Sequence, residues 1–206
     1  MLVFVMKKDK WVVILFIFCF LAIVSPILFK LFVDFNAPVI EKEISSFEYY
    51  GYKLTTSDTE AFKNVYNELS DVLNEEIIDF EMYAQLISKL FVIDVFTLEN
   101  KLSSTDVGGL EFVHKDLRSN FKENMGSTLY SSVLSNISSN RNQKLPKVSN
   151  VNIESVTKGE YEYYGVNYDS YVIKCGISYE VDLGYQNSIT LTLIRLDNML
   201  YIVKGE

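Results

Sequence analysis

Residues 171–183, YVIKCGISYEVDL, carry an apolar side chain at every second position. This period of two is typical of a β-strand with one buried face. The next apolar run, SITLTLIRL at residues 188–196, alternates in the same way. Turn residues separate the runs, which predicts an antiparallel meander. Its strands are expected at about residues 148–163, 168–182, 187–196 and 199–204.

Apolar side chains at helical spacing precede these strands. One stripe predicts a helix at about residues 58–74, with Ser57 as the N-cap of a capping box. A second stripe predicts a helix at about residues 80–100, with Asp79 as its N-cap and with burial on more than one side. A third pattern, apolar at every fourth position, predicts a helix at about residues 116–137.

Helices that are segregated from strands indicate an α+β domain, with three helices packed on one face of a curved antiparallel sheet. Residues 110–114 add a short predicted strand ahead of the third helix. The order of helix, helix, short strand, helix and meander resembles the nuclear-transport-factor-2-like domains, also called cystatin-like cones. The resemblance extends over residues 57–206 and rests on element order.

A long apolar run lies near the N-terminus. Residues 11–29, WVVILFIFCFLAIVSPILF, contain no charged side chain. A helix of this length reaches roughly 28 Å, close to the thickness of the hydrocarbon core of a bilayer. We therefore predict a transmembrane helix at residues 11–33, with the lipid bilayer as its partner. Three Lys side chains lie within residues 1–10, so this tail is expected in the cytoplasm and the C-terminal domain outside.

A cleaved signal peptide is the alternative to this anchor. The apolar run is longer than the usual signal-peptide core of about 7–15 residues, and small residues suited to cleavage are poorly placed. The anchored arrangement is thus preferred: a single-pass protein of the cell membrane, with a stalk at residues 34–56 and an extracytoplasmic α+β domain at residues 57–206.

The charges of the chain are unevenly distributed. The net charge is −8, but residues 1–35 hold four Lys and two Asp. The remaining 15 Lys and Arg against 25 Asp and Glu give the rest of the chain a charge of −10. Such an acidic body argues against binding to nucleic acid, which needs basic patches. Lys outnumbers Arg, and Asn, Ile and Tyr are plentiful, a bias that suggests a low-GC bacterium.

Few residues are suited to metal or covalent chemistry. The chain has two Cys and one His, so we predict no metal site and no cofactor. Cys175 lies on the inward side of the alternating strand and is expected to be a core residue. No catalytic motif is found, and no catalytic residue is assigned.

Four residues are candidates for binding a ligand. Asp94 interrupts the apolar run FVIDVF, so its carboxylate needs a partner or an exposed face, and it is a candidate pocket residue. His114 lies near Asp116, a pair able to tune a pKa, although Asp116 is also well placed as a helix N-cap. Tyr163 and Tyr164 belong to a Tyr-rich hairpin, which fits sheet packing as well as a protein or glycan interface.

Two classes of function fit these observations. One is a binding or scaffold module for an envelope protein partner, an architecture similar to that of inner-membrane assembly factors of type IV secretion and conjugation machines. The other is a small-ligand-binding protein or acid–base enzyme, because the resemblance includes ketosteroid isomerase-like and dehydratase-like enzymes. Polar groups in a pocket near Asp94 or His114 would favour the second class, and a cone filled by aromatic side chains the first.

Overall fold

A computed structural model of the chain describes residues 24–25, 43–47 and 49–206. The predicted transmembrane helix lies outside these residues apart from 24–25, and the predicted cytoplasmic tail lies outside them entirely. Among the described residues, no helix has both the length and the apolar character needed to cross a membrane. Nearly all of them belong to one compact unit.

The described residues form an α+β domain, as predicted, with three α-helices and a curved antiparallel sheet of four strands that pair in sequence order. Two further strands, nearer the N-terminus, pair as a separate hairpin. The elements are β1 (Glu43–Phe47), β2 (Tyr52–Thr55), α1 (Glu60–Leu73), α2 (Phe80–Phe96), a 3-10 helix (Lys115–Leu117), α3 (Arg118–Ser127), β3 (Val148–Tyr163), β4 (Val166–Tyr179), β5 (Ser188–Leu196) and β6 (Met199–Gly205).

The alternating strand that predicts the sheet is β4. Tyr171, Ile173 and Cys175 are buried in the core beneath it, as the period of two predicts. β3 pairs with β4 along its whole length, and Tyr164 and Gly165 form the turn with φ values of +50° and +77°. Tight hairpin turns need positive φ because their twist then matches that of the strands.

The alternation overestimates the length of β4. Val181 and Leu183 continue the pattern in sequence, but the strand ends at Tyr179 and both side chains are exposed. The backbone N–H of Gly184 donates to Asp182 Oδ1 at 2.9 Å, so a local turn replaces the ladder here.

Of the three predicted helix caps, only Asp79 is confirmed. Asp79 caps α2, and its Oδ1 accepts from the backbone N–H groups of Glu81 at 2.9 Å and Met82 at 3.1 Å. The prediction of Ser57 as the cap of α1 is wrong, because Thr59 occupies that position and accepts from the N–H of Phe62 at 3.2 Å. The Ser57 hydroxyl instead lies 2.9 Å from the Thr55 hydroxyl.

The third helix is shorter than predicted. α3 ends at Ser127, and Leu129, Tyr130 and Val133 pack in a small second core beyond it. The buried Tyr130 hydroxyl donates to the backbone carbonyl of Val95 at 2.8 Å, which directs the chain away from the helix axis. The strand predicted at residues 110–114 is reduced to one parallel bridge, Val113 to Ile202.

The helix α2 runs through the core and contributes many of its buried side chains. Eleven of its residues are buried, which confirms that this helix is enclosed on more than one side. The β1–β2 hairpin packs on the same core: Tyr52 is fully buried, and its hydroxyl lies 2.5 Å from that of Tyr83. The part of residues 34–56 that the structure describes is therefore a hairpin fixed to the domain, where the sequence led us to expect a stalk.

Candidate functional site

A groove of about 600 Å³ lies between α3 and the end of the sheet. This volume is within the range of small-molecule pockets, roughly 300–1,000 Å³. Most of the side chains that line it are apolar and come from α2, α3, β5, β6 and the segments next to them. They are Phe91, Val95, Phe96, Val113, Leu117, Phe121, Met125, Leu129, Ile189, Ile202 and Val203.

The composition of α3 explains why the groove stays open. Its sequence, RSNFKENMGS, has only two large apolar residues, Phe121 and Met125, which lie four apart on one face. None of its residues is buried, and the ring of Phe121 lies 5.7 Å from that of Phe91 on α2. The helix therefore contacts the core along a narrow line, and the space beside that line remains accessible.

Both ends of α3 are fixed to the domain. At its start, Arg118 donates from Nε to the carbonyl of Val113 at 3.0 Å and from Nη2 to that of Glu111 at 3.2 Å. Beyond its end, the Tyr130 hydroxyl accepts from the N–H of Gly108 at 3.2 Å. These bonds set the distance between α3 and the sheet.

Polar side chains surround the opening of the groove. Asn120, Asn124 and Gln186 contribute amides, which both donate and accept hydrogen bonds. Lys204 and Glu206 form an ion pair with 2.6 Å between Nζ and Oε1. The two charges offset one another, so the rim presents hydrogen-bonding groups without a net charge.

Asp94 does not line the groove. Its carboxylate forms an ion pair with Lys101 and accepts from the N–H of Gly109 at 2.5 Å. Burial acts to lower the pKa of Lys101, but Asp94 and other neighbours raise it above its ordinary value, so the ammonium stays charged. The backbone approaches closely here: a Cβ on Gly108 would lie 2.6 Å from the Asp94 carbonyl oxygen. Asp94 thus has the partner that its apolar surroundings demand.

His114 is buried beside β6 and also lies outside the groove lining. Its Nδ1 accepts from the N–H of Asp116 at 3.4 Å and lies 3.0 Å from the Tyr163 hydroxyl. The prediction of Asp116 as a helix cap is wrong: a 3-10 turn begins at Lys115, so His114 takes the cap position. Burial lowers the pKa of His114, which favours the neutral ring that this capping requires.

The structure brings Tyr163 together with His114. The rings of Tyr163 and Tyr164 are edge-to-face with centroids 4.5 Å apart. Burial and the neighbouring Tyr164 raise the pKa of Tyr163 to about 12, so its hydroxyl stays protonated. Tyr164 is 77% exposed at the turn. Of the four candidate residues, these three are adjacent, and Asp94 lies elsewhere.

None of the residues that line the groove carries a sequence motif that marks it as a site. Phe121, Met125 and Leu129 were visible as a helical stripe, and the polar residues between them were the only sign that the helix is poorly buried. Glu111 was also missed, although it interrupts the apolar run GGLEFV much as Asp94 interrupts its own.

Among the described residues, no three His, Cys, Asp or Glu side chains converge in a way that would hold a metal ion. Fold alone does not define function, and the groove with its surrounding side chains is the feature of this domain suited to binding. Comparisons with protein-family models, with curated proteins and with solved structures find no match for this chain.

Proposed function

We propose that this chain is a single-pass, membrane-anchored protein whose extracytoplasmic domain is a nuclear-transport-factor-2-like binding module for an envelope protein. Residues 11–33 span the membrane in this proposal, and residues 1–10 remain in the cytoplasm. The domain holds apolar side chains of its partner in the groove beneath α3, and serves as a scaffold in an envelope assembly of the secretion or conjugation type.

The order of elements supports the fold assignment in this proposal. Three helices are followed by a four-stranded curved meander, the same order as in the nuclear-transport-factor-2-like domains that the sequence resembles. The proposal takes the groove between α3 and the ends of β5 and β6 as the opening of the cone.

The apolar lining of the groove is the observation that carries the binding function. Burial of a Leu or Phe side chain in such a site contributes about 1.5–3 kcal/mol. Asp94 and His114, the two titratable residues that the sequence offered as ligand-binding candidates, are outside the groove and engaged with other groups. At the rim, Glu206 is paired with Lys204. These placements favour binding over proton transfer.

Site-specific photo-cross-linking in intact cells tests the proposal. A benzophenone amino acid replaces Met125 in the groove of the full chain, and in a matched control it replaces Val172, which is exposed on β4. We expect a discrete protein adduct from position 125 and none from position 172. Adducts of equal yield at both positions, or none at position 125, would contradict the proposal.

A small apolar ligand is the second candidate occupant. The volume of the groove and the amides of Asn120 and Asn124 at its opening favour this alternative. Native mass spectrometry of the full chain in detergent distinguishes the two. A retained molecule of a few hundred daltons that is lost in the Phe121→Asp variant supports the small ligand, and its absence supports the protein partner.

A further inference from the structure

The strand β3 forms one edge of the four-stranded sheet. It pairs with β4 on one side, and on its other side no described residue bonds to the main chain of residues 150–163. Most of these residues are exposed. An unpaired strand edge presents a row of N–H and C=O groups, which is a template for pairing with a strand of another chain.

The outward-facing groups follow from the turn that joins β3 to β4. Tyr164 and Gly165 form a two-residue turn, so Tyr163 and Val166 beside it exchange hydrogen bonds across the hairpin. Hydrogen-bonded pairs recur at every second residue of an antiparallel ladder, so the odd-numbered residues bond to β4. The even-numbered residues between them direct their N–H and C=O groups outwards. These are Val156, Lys158, Glu160 and Glu162.

This part of the edge is regular. β3 carries bulges between Val148 and Asn150 and between Ile153 and Ser155, but its register with β4 is unbroken from Ser155 to Tyr163. Bulges twist an edge away from other strands, so this protection applies only to the first half of β3. The second half has the continuous backbone that a further strand needs for pairing.

The contact between Tyr163 and His114 leaves this edge uncovered. It is made by side chains, and the side chains of a strand project from the faces of a sheet and not from its edge. Lys158, Gly159 and Glu160 are all exposed. Among the described residues, therefore, no element lies against this part of β3.

A second copy of the chain matches this edge in one register. Two copies related by a two-fold axis pair antiparallel, and only their outward-facing residues can exchange hydrogen bonds. When the pair is centred on Gly159, Lys158 of each copy lies opposite Glu160 of the other. Val156 then lies opposite Glu162, so all the outward-facing residues are paired. Opposite charges that face each other across two strands stabilise the pair.

The neighbouring registers are less favourable. A pair centred on Lys158 places its two ammonium groups opposite one another, and a pair centred on Glu160 does the same with two carboxylates. Like charges directly opposite one another destabilise a strand pair. Both registers also shorten the ladder, because Glu162 in the first and Val156 in the second no longer face an outward-facing residue.

We propose that two copies of this chain associate through β3, as an antiparallel strand pair that is centred on Gly159 and joins their sheets. The association closes on itself, so neither copy keeps the second half of this edge unpaired. No residue of β3 lines the groove, so the association uses a different surface from the binding of a partner there.

Disulfide trapping on the full chain tests the register. Gly159→Cys in a Cys19→Ser background is oxidised in cells, and also after purification in detergent at physiological salt, where charges more than about 8 Å apart are screened. Residues opposite one another in a non-hydrogen-bonded pair have Cα atoms about 4.5 Å apart, within the range of a disulfide. The site accepts a side chain, because a Cβ on Gly159 would lie 3.9 Å from the Ser170 hydroxyl oxygen. We expect a disulfide-linked dimer.

The matched controls are Thr157→Cys and Tyr161→Cys on the same strand. Thr157 lies opposite Tyr161 of the other copy in this register, so two identical cysteines are about 13 Å apart along the strands, too far for a disulfide. Neither control should cross-link alone, but a mixture of the two should do so after the copies exchange.

Three results would overturn the proposal. They are no dimer from Gly159→Cys, equal yields from Gly159→Cys and the two controls, and a higher yield from Lys158→Cys or Glu160→Cys. An adduct of the Gly159→Cys chain with a different protein in cells, in place of the dimer, would also overturn it, because the edge would then belong to that protein.

An exchange of charges tests the same pairing without a cysteine. Lys158→Glu places two carboxylates opposite one another twice in the dimer, so its dissociation constant should rise at least about tenfold. Lys158→Glu combined with Glu160→Lys exchanges the two charges and should restore the dimer. The matched control is Lys174→Glu, which disrupts an exposed pair with Glu154 on the side of β3 that faces β4, as Lys158→Glu disrupts one with Glu81. It should leave the dissociation constant unchanged.

Sedimentation of the full chain in detergent over a range of concentrations measures the dissociation constant. If Lys158→Glu associates as tightly as the unaltered chain, or if the double variant associates no better than Lys158→Glu, the two residues do not face each other across a dimer and the proposal is wrong.

Discussion

The hydroxyl of Tyr163 lies 3.0 Å from Nδ1 of His114, although Tyr163 belongs to one edge of the four-stranded sheet and His114 lies beside the opposite edge. Tyr163 ends β3, one outer strand, and the N–H of His114 donates to Ile202 on β6, the other outer strand, at 3.1 Å. Only a strongly curved sheet brings its two edges this close. The contact therefore connects the two edges of the curved sheet, and it gives His114 a structural role.

Removal of this hydroxyl should destabilise the domain. Tyr163→Phe keeps the ring and loses one hydrogen bond to a buried imidazole, which costs about 0.5–1.5 kcal/mol. Chemical denaturation measures the free energy of unfolding. Tyr49→Phe is the matched control, because Tyr49 is 66% exposed and should tolerate the change. If Tyr163→Phe and Tyr49→Phe are equally stable, the hydrogen bond between Tyr163 and His114 does not stabilise the curved sheet.

His114 should make stability fall in mild acid. Burial holds its pKa below the ordinary 6.5, so the unfolded chain binds a proton before the folded one does as pH decreases. The stabilisation that the neutral His114 ring contributes is complete above about pH 6.5. It is lost as pH falls through the pKa of His114 in the folded state. His114→Asn cannot take up this proton. The difference in unfolding free energy between the two proteins should narrow from about pH 7.5 to about pH 5. A widening would show that the Asp116 carboxylate stabilises the protonated ring more than burial destabilises it.

The sheet was predictable because the sequence pattern that specifies each strand lies within that strand. A strand with one buried face needs an apolar residue at every second position, so Tyr171, Ile173 and Cys175 identify β4 without knowledge of its neighbours. The cap at Asp79 was predictable for the same reason, since its hydrogen bonds reach only to Glu81 and Met82.

Features set by distant contacts were not predictable. The end of α3 depends on Tyr130, whose hydroxyl bonds to Val95, and the hairpin depends on Tyr52, which meets Tyr83 across the core. The groove draws its lining from four separate elements, so no single stretch of sequence describes it. The placement of Asp94 outside the groove likewise follows from its ion pair with Lys101.

Cys175 should be inert in the folded domain. It is fully buried, and burial raises the pKa of its thiol to about 12, so the reactive thiolate is scarce. In a Cys19→Ser background, a polar maleimide should label it only after denaturation. Ser178→Cys on the exposed side of the same strand is the control and should react at once. Rapid labelling of native Cys175 would mean that this face of β4 is open to solvent.

The ion pair between Lys101 and Asp94 should be worth more to the domain than any exposed pair. Lys101→Met leaves the partly buried Asp94 carboxylate with the N–H of Gly109 as its remaining described donor. The loss of stability should exceed that of an exposed pair and reach at most about 3–5 kcal/mol, the cost of breaking a fully buried pair. Lys174→Met breaks the exposed pair with Glu154 and should change stability by less than about 1 kcal/mol.

A double variant separates the charge from the contact. Asp94→Asn combined with Lys101→Met removes both charges, so it should lose less stability than Lys101→Met alone, as measured by the free energy of unfolding in denaturant. The single variant is the worse of the two because it leaves one charge buried without its counterion. If Lys101→Met lowers the free energy of unfolding no more than Lys174→Met does, the Asp94 carboxylate must be solvated by water or held by Gly109 alone. The ion pair between Lys101 and Asp94 would then have no structural role.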